Sequence, residues 1–219
     1  MLLCCKVSHQ GVSSTDPCAP CSCKDHTLSD CPDKTVNLHF KSECSIQFLS
    51  TQLFRSNNTL LRELLLADNR LKTIPASLFR NLKSLRNLDL QGNVLTHLPG
   101  GLFKFTVSLM KLRLSRNQLT RLPPHLFDNP QKLTYLGLDD NLLEHLPDGI
   151  FDGLRSLISL DMKGNSLIEL PSGLFRNSIK LRYLRLSENQ LRSLPAHVFD
   201  SLQALVVLSL HNNSLSLDH

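Results

Sequence analysis

The stretch that decides the fold is LRYLRLSENQLRSLPAHVFDSLQA, residues 181–204, because its pattern recurs along the chain with a period of 24 residues. Counting back from Asn213 in steps of 24 residues meets asparagine every time. These positions are Asn189, Asn165, Asn141, Asn117, Asn93 and Asn69. A fixed period of this length is typical of a solenoid, in which every coil repeats one backbone geometry. The sequence therefore predicts one elongated repeat domain.

The first half of each coil carries leucines separated by single polar residues. A segment such as Leu184-Arg185-Leu186 alternates between the two faces of a strand, so its leucines are expected to point into the core. Stacked coils would pair these strands in a parallel sheet with a spacing of about 4.8 Å. Coil positions 3, 5 and 7 then face outward on the inner curve, and the asparagine at position 9 ends the strand. Its amide can satisfy backbone groups of the turn.

The second half of each coil places proline and phenylalanine in fixed columns. Proline removes a backbone donor and interrupts regular strand on the outer side. The phenylalanine column holds seven of the ten phenylalanines, namely Phe54, Phe79, Phe103, Phe127, Phe151, Phe175 and Phe199. We expect these rings to form a stacked spine with a purely structural role.

The composition excludes several classes of function. The 219 residues carry a net charge of +5 with basic and acidic residues intermixed, so we expect no nucleic-acid partner. No apolar run approaches the roughly 20 residues that cross a bilayer. The chain has no G-x-S-x-G motif, phosphate-binding glycine loop or H-E-x-x-H motif, and its nine histidines are dispersed. We therefore expect neither an enzyme nor a bound cofactor or metal.

The chain divides into three parts. Residues 1–17 read as a leader, a remnant of a secretion signal, although Cys4 and Cys5 would also suit lipidation. Residues 18–60 would form a cysteine-rich N-terminal cap and a degenerate first repeat. Residues 61–219 contain six full coils and one partial coil without a C-terminal cap. Because an uncapped coil exposes its leucines, we expect this edge to pack on a missing cap or on a partner.

Four cysteines lie within fourteen residues: Cys18, Cys21, Cys23 and Cys31. They suit either a disulfide cluster or a zinc site with His26 in reserve. The spacing differs from paired Cys-x-x-Cys knuckles, and the position directly before the first coil suits a cross-linked cap. Both points favour disulfides. Cys44 falls where the first, degenerate coil would have its asparagine, and we expect a buried thiol there.

The full pattern, L-x-x-L-x-L-x-x-N-x-L-x-x-L-P-x-x-L-F-x-x-L-x-x, resembles the typical class of extracellular leucine-rich repeats. The resemblance implies a horseshoe of α/β type, with a concave parallel β-sheet and a largely irregular convex side. It also implies disulfides Cys18–Cys23 and Cys21–Cys31 in the cap. The coils are similar to those of secreted members such as leucine-rich alpha-2-glycoprotein and the non-catalytic subunit of carboxypeptidase N, and Toll-like receptor ectodomains share them.

Residues at the outward positions vary between coils, so specificity is expected there. The chain has two tyrosines, Tyr135 and Tyr183, in one outward column two coils apart, and Gly137 is expected to leave a dip beside the first. Exposed tyrosine and arginine anchor many interfaces, although on a concave face they can also be merely solvated. We expect a protein or peptide ligand at Lys111, Arg113, Arg116, Tyr135, Asp161, Tyr183 and Arg185. Lys111, Arg113 and Arg116 would favour an acidic partner or a polyanionic glycan.

Two sequons, at Asn57 and Asn212, fall on expected loops and are the candidate glycosylation sites. With the cysteine-rich cap, they favour an extracellular location, either secreted or as a cell-surface ectodomain. Two classes of function remain open. One is a recognition module, such as a Toll-like or other pattern-recognition receptor ectodomain, and the other is a structural or carrier subunit of a secreted enzyme.

Overall fold

The computed structural model describes residues 5–8, 22–24, 27–30, 37–40, 45–51, 53–54 and 60–216. The predicted disulfides Cys18–Cys23 and Cys21–Cys31, the buried thiol at Cys44 and the sequon at Asn57 involve residues outside these ranges. Those predictions remain predictions.

The described ranges contain twelve strands, most of them only three residues long. They are β1 (Cys5–Ser8), β2 (Ser22–Lys24), β3 (Thr27–Asp30), β4 (Asn37–Phe40), β5 (Phe48–Leu49), β6 (Glu63–Leu65), β7 (Asn87–Asp89), β8 (Lys111–Arg113), β9 (Tyr135–Gly137), β10 (Ser159–Asp161), β11 (Tyr183–Arg185) and β12 (Val207–Ser209). Nine of them form one sheet in the order β1-β4-β6-β7-β8-β9-β10-β11-β12, and β2-β3-β5 form a second sheet.

The large sheet is parallel from β4 to β12, and its register repeats the sequence period. Leu112 pairs with Leu88 on one side and with Leu136 on the other, each 24 residues away. At the N-terminal edge, β1 pairs with β4 in the antiparallel sense. Because the repeat unit equals one turn of the solenoid, equivalent residues form straight columns along it. This arrangement confirms the predicted leucine-rich repeat horseshoe.

The core consists of the leucine and phenylalanine columns. Leu88, Leu112, Leu136 and Leu184 are each 0% exposed. On the outer side, the rings from Phe79 to Phe199 stack with centroids 5.9 to 6.4 Å apart and with nearly parallel planes. The predicted phenylalanine spine is confirmed for these six rings. Such stacking adds to the stabilisation that burial of each ring already provides.

The asparagine column joins each coil to the preceding one. The side-chain amide of Asn93 donates to the carbonyl of Leu90 in its own coil and to that of Leu66 in the preceding coil, both at 3.0 Å. Its Oδ1 accepts the backbone N–H of Leu71 at 3.0 Å. The pattern recurs at Asn117, Asn141, Asn165 and Asn189. One amide thus satisfies three buried backbone groups per coil, as expected from its chemistry.

The residue just before each asparagine adopts a left-handed backbone in all seven coils. The column reads Asp68, Gly92, Arg116, Asp140, Gly164, Glu188 and Asn212, with φ between 52° and 66°. The chain reverses there from the strand into the flank, and non-glycine residues seldom adopt this conformation. The convex side consists of successive tight turns, such as Leu78 N–H to Pro75 O at 3.0 Å and Leu82 N–H to Phe79 O at 3.0 Å.

The sheet edge at β12 exposes apolar side chains. Val206, Val207 and Leu208 are 62%, 39% and 38% exposed, whereas leucines at the position of Leu208 in the central coils are fully buried. The open edge was expected from the leucine pattern, and what covers it remains a prediction. Over the described ranges, no helix has both the length and the apolar character that crossing a membrane requires.

Candidate ligand-binding surface

Tyr135 and Tyr183 lie two strands apart on the concave sheet with Ser159 between them, and we call this three-residue surface the slot. Tyr135 on β9 and Tyr183 on β11 each pair with Ser159 on the intervening strand β10. Two strand spacings separate the tyrosine backbones, which amounts to about 9–10 Å. Ser159, the residue between them, has a small polar side chain. The fold therefore places both tyrosines of the chain on one part of the concave face.

Gly137 lets the Tyr135 ring lie along its own strand. A Cβ atom at Gly137 would lie 3.1 Å from the Tyr135 hydroxyl, 3.3 Å from Cε1 of that ring and 2.8 Å from Ser115 Oγ. The expected dip beside Tyr135 is therefore wrong, since the tyrosine ring itself occupies it. The ring is only partly exposed and has a defined orientation. A larger residue at position 137 would displace the Tyr135 ring from this orientation.

Arg113 packs against the Tyr135 ring and also approaches a carboxylate. Its guanidinium carbon is 5.5 Å from the ring centroid, and its Nη1 is 3.7 Å from Asp89 Oδ2. Two coils beyond Tyr135, Arg182 lies 5.9 Å from the centroid of the adjacent Tyr183 ring. Sequence reasoning missed Arg182, because coil position 2 was not counted among the outward columns. Cation–π contacts therefore support both rings of the slot.

Asp161 and Arg185 form an ion pair beside the slot. Arg185 Nη1 donates to Asp161 Oδ2 at 3.0 Å, and the backbone N–H of Lys163 donates to Asp161 Oδ1 at 3.2 Å. The Asp161 side chain is only 14% exposed. Burial raises the pKa of Asp161 above its ordinary value, although the bonds from Lys163 and Arg185 act in the opposite direction. Burial likewise raises the pKa of Asp89, which faces Arg113.

The hydroxyl of Tyr135 lies among acidic groups. Partial burial raises its pKa above the ordinary value, and the carboxylates of Asp139 and Asp161 act in the same direction. Ser115 Oγ donates a hydrogen bond to Asp139 Oδ1 from the neighbouring coil. Asp139 was not predicted as a site residue, but it lies at the outward position 7 of its coil and belongs to the same cluster. Tyr135 therefore remains a neutral hydroxyl at physiological pH.

Arg116 lies on the rim, at the left-handed position of its coil. It reaches back two coils to Asp68, with Nη2 3.0 Å from Oδ1. The Asp68 carboxylate lies over Gly92, and a Cβ atom there would collide with it. Of the predicted positive patch, Arg113 and Arg116 thus each have a carboxylate partner, whereas Lys111 is exposed and has none within the described ranges. The patch carries less free charge than its sequence indicates.

The remaining polar groups lie outside the slot. Asn212 is exposed on the last described turn, with φ of 55°. On the outer side, His125, Asp128, Asp148, Asp152 and Arg176 line part of an open depression of about 480 Å³. Arg176 binds Asp152 there through two nitrogens, at 2.9 and 2.7 Å. The described ranges contain no group of three histidine, cysteine or acidic side chains placed to hold a metal ion.

Comparison with protein families agrees with this geometry. The family profile described as Leucine rich repeat matches residues 59–109, 107–167 and 164–215, which together make up well over half of the chain. No match was found among curated proteins.

Three solved structures are similar to the fold. The complex of Drosophila Toll with Spatzle, a molecular hub in development and innate immunity, matches 77% of this chain with 26% identity and a TM-score of 0.58. The TLR13–ssRNA13 complex matches 81% with 29% identity and a TM-score of 0.70. A leucine-rich repeat protein of Leptospira interrogans matches 78% with 30% identity and a TM-score of 0.64. The chain spans between 27% and 41% of the length of these proteins.

Proposed function

The chain belongs to the leucine-rich repeat family, and we propose that it is a non-enzymatic recognition module that binds a protein or peptide on its concave face. The observation that carries this proposal is the slot formed by Tyr135, Ser159 and Tyr183 on consecutive strands of the sheet. Tyrosine side chains on the exposed face of a rigid sheet are typical anchors of interfaces. The other columns of each coil are committed to packing the core and satisfying its backbone.

The slot suits a peptide segment with both apolar and polar side chains. Its two rings offer apolar area, while the tyrosine hydroxyls, Ser159 and the Asp161–Arg185 pair offer donors and acceptors. Because Arg113 and Arg185 each face a carboxylate, the concave face has little net charge at the slot. An acidic ligand would therefore gain its attraction mainly from Lys111, at the edge of the proposed contact area.

We further propose that the protein works outside the cytosol, as a secreted protein or an ectodomain, with glycans at Asn57 and Asn212. The predicted disulfide cap and the resemblance of the repeat pattern in the sequence to that of leucine-rich alpha-2-glycoprotein and the carboxypeptidase N subunit favour a secreted form. Treatment of secreted protein with peptide N-glycosidase should lower its mass. An unchanged mass would contradict the glycan assignment.

A second candidate is part of the ectodomain of a Toll-like receptor. The similarity to Toll bound to Spatzle and to TLR13 bound to ssRNA13 favours it, since both matched proteins were solved as complexes with ligands. A carrier subunit of a secreted enzyme is the third possibility, and it would use the same concave face. All three share the proposed slot, so one experiment on the slot tests their common element.

The test uses peptides selected from a random display library on the immobilised full chain. Replacing both tyrosines, Tyr135→Ala with Tyr183→Ala, should weaken the selected peptides by roughly 30-fold or more, as expected when two interface anchors are lost. The Tyr135→Phe and Tyr183→Phe double variant retains the rings and should lose much less. A convex control, His97→Ala with His145→Ala, should bind as the wild type does. Thermal melting verifies that each variant is folded.

The proposal fails on one clear outcome. If the peptides bind the folded alanine double variant with wild-type affinity, the concave slot is not the binding site. Loss of binding in the convex control alone would move the site to the outer side of the solenoid.

A further inference from the structure

The flank that precedes each strand is strongly basic in the first two full coils, residues 61–108. Five exposed cations make up this surface, which we call the basic flank: Arg62, Arg80, Lys83, Arg86 and Lys104. The surface is separate from the concave slot, because its residues all precede β8 in the chain, whereas the slot lies on the three strands β9 to β11. Its role is thus independent of the proposed peptide binding.

The repeat geometry brings these five residues onto one side of the solenoid. Arg62 and Arg86 occupy the same column, and the backbone N–H of Arg86 donates to the carbonyl of Arg62 at 2.7 Å. Arg80 and Lys104 also share a column, since each follows one of two stacked phenylalanine rings whose centroids are 6.2 Å apart. Lys83 lies in the turn closed by the Leu85 N–H on the Leu82 carbonyl, directly before Arg86.

No carboxylate lies on this flank in these coils. The acidic residues between positions 61 and 110 are Glu63, Asp68 and Asp89. Glu63 and Asp89 belong to strands of the concave sheet, and Asp68 lies on its rim at the left-handed position. Asp68 and Asp89 already face Arg116 and Arg113, and Glu63 faces His39. Their negative charge therefore lies on the concave side.

The cations of the basic flank and those of the concave face differ in whether they have a carboxylate partner. Within the described ranges, no ion pair involves any of the five basic-flank residues, whereas Arg113, Arg116 and Arg185 each have a carboxylate partner. Unpaired cations on a rigid scaffold repel one another and attract polyanions without having to break existing contacts. The basic flank ends where the columns of Lys83 and Arg86 continue as Val107 and Met110.

We propose that the basic flank binds a sulfated polysaccharide. The coils that carry these cations are about 4.8 Å apart next to the sheet, at Arg62 and Arg86, and 6.2 Å apart at the rings that precede Arg80 and Lys104. Cations repeated at such steps match a linear chain that carries sulfate groups along its length. Nucleic acid fits this surface less well, because proteins that bind single strands stack bases on exposed aromatic rings. Among the described residues, Phe105 is an exposed ring next to the basic flank, and Lys104 lies over one of its faces, 5.7 Å from the centroid, where a base would have to stack.

Binding of the full chain to immobilised heparin tests the proposal. The triple variant Arg80→Gln, Lys83→Gln and Arg86→Gln should bind heparin roughly tenfold to a hundredfold more weakly, and log K should depend less steeply on log salt. The matched control is Arg70→Gln, Lys72→Gln and Arg121→Gln, which removes three exposed cations from the opposite flank. This control should retain nearly all of the heparin affinity. The concave Tyr135→Ala and Tyr183→Ala variant should retain it too.

Two outcomes overturn the proposal. If the flank variant and the opposite-flank control lose heparin affinity equally, the attraction comes from net charge alone. If single-stranded polyuridylate binds more tightly than heparin at equal charge concentration, and the flank variant removes that binding, the partner is nucleic acid. Circular dichroism of each variant confirms that the solenoid is intact, so a weakened affinity reports the surface itself.

Discussion

At the scale of single residues, Gly153 sets how closely two coils approach on the outer side. A Cβ atom there would lie 2.5 Å from the carbonyl oxygen of Phe127 and 2.6 Å from the Cα of Asp128. Both atoms belong to the backbone of the preceding coil and cannot move aside as a side chain can. Gly173 differs, because its nearest neighbours are atoms of the flexible Arg176 side chain at 3.6 Å or more.

The substitution Gly153→Ala should therefore destabilise the protein by about 1–3 kcal/mol, the usual cost of inserting atoms into packed structure. Gly173→Ala is the matched control and should be neutral or stabilising by up to about 1 kcal/mol, because it reduces the entropy of the unfolded chain. Urea denaturation followed by circular dichroism measures both. Equal midpoints for the two variants would show that the approach at Gly153 is not tight.

At the scale of elements, the phenylalanine spine stabilises each coil from both sides. Phe127 is fully buried and stacks on Phe103 at 5.9 Å and on Phe151 at 6.2 Å. Phe199 is partly exposed and stacks on Phe175 at 6.1 Å, and within the described ranges it has no second ring neighbour. Phenylalanine thus occupies both a central position and a terminal position of the same column.

Replacing Phe127 by alanine should cost about 3–5 kcal/mol, since the lost ring leaves a cavity between two rings that cannot close. Phe199→Ala should cost clearly less, because solvent already reaches that ring. The urea midpoints of the two variants test this order. A midpoint of Phe127→Ala equal to that of the wild type would contradict the structural role of the spine.

At the scale of the whole molecule, the core leucines of each coil pack against the two neighbouring coils, so the position of a leucine along the stack decides the cost of replacing it. Leu136 and Leu208 occupy the same position of the repeat, but Leu136 is 0% exposed and Leu208 is 38% exposed. In repeat proteins the stability is close to a sum of coil and interface terms. Among the described residues, Leu208 is packed by a neighbouring coil on one side only, so it contributes to fewer of the interface terms than Leu136 does.

Leu136→Ala should lower the free energy of unfolding by about 2–5 kcal/mol, the range for a fully buried leucine. Leu208→Ala should lower it by about 1 kcal/mol, since part of its area is already in water. Equilibrium denaturation in urea measures both losses. A loss at Leu208 as large as that at Leu136 would show that the β12 edge is covered in the folded protein.

The sequence predicts most of the scaffold because the residues that determine each coil lie close together in the chain and recur with a fixed period. The asparagine period locates each strand to within a residue, as Leu184 and its equivalents show, and the phenylalanine column predicts the spine. The left-handed column was not predicted, although five of its seven residues are aspartate, asparagine or glycine, the types that favour such a backbone. Arg116 and Glu188 have no such preference and still adopt it. That conformation results from closing the coil, a constraint that acts on every coil whatever residue stands there.

The candidate surfaces depended more on the tertiary structure. The sequence by itself determined that Tyr135 and Tyr183 share a column and that Ser159 lies between them, because columns follow directly from the period. Only the tertiary structure decided that Arg113 and Arg185 have carboxylate partners while the cations of the basic flank have none among the residues that the structure describes. A period specifies where a Cα atom lies, but the pairing of a long charged side chain depends on its rotamer and on the neighbouring coils.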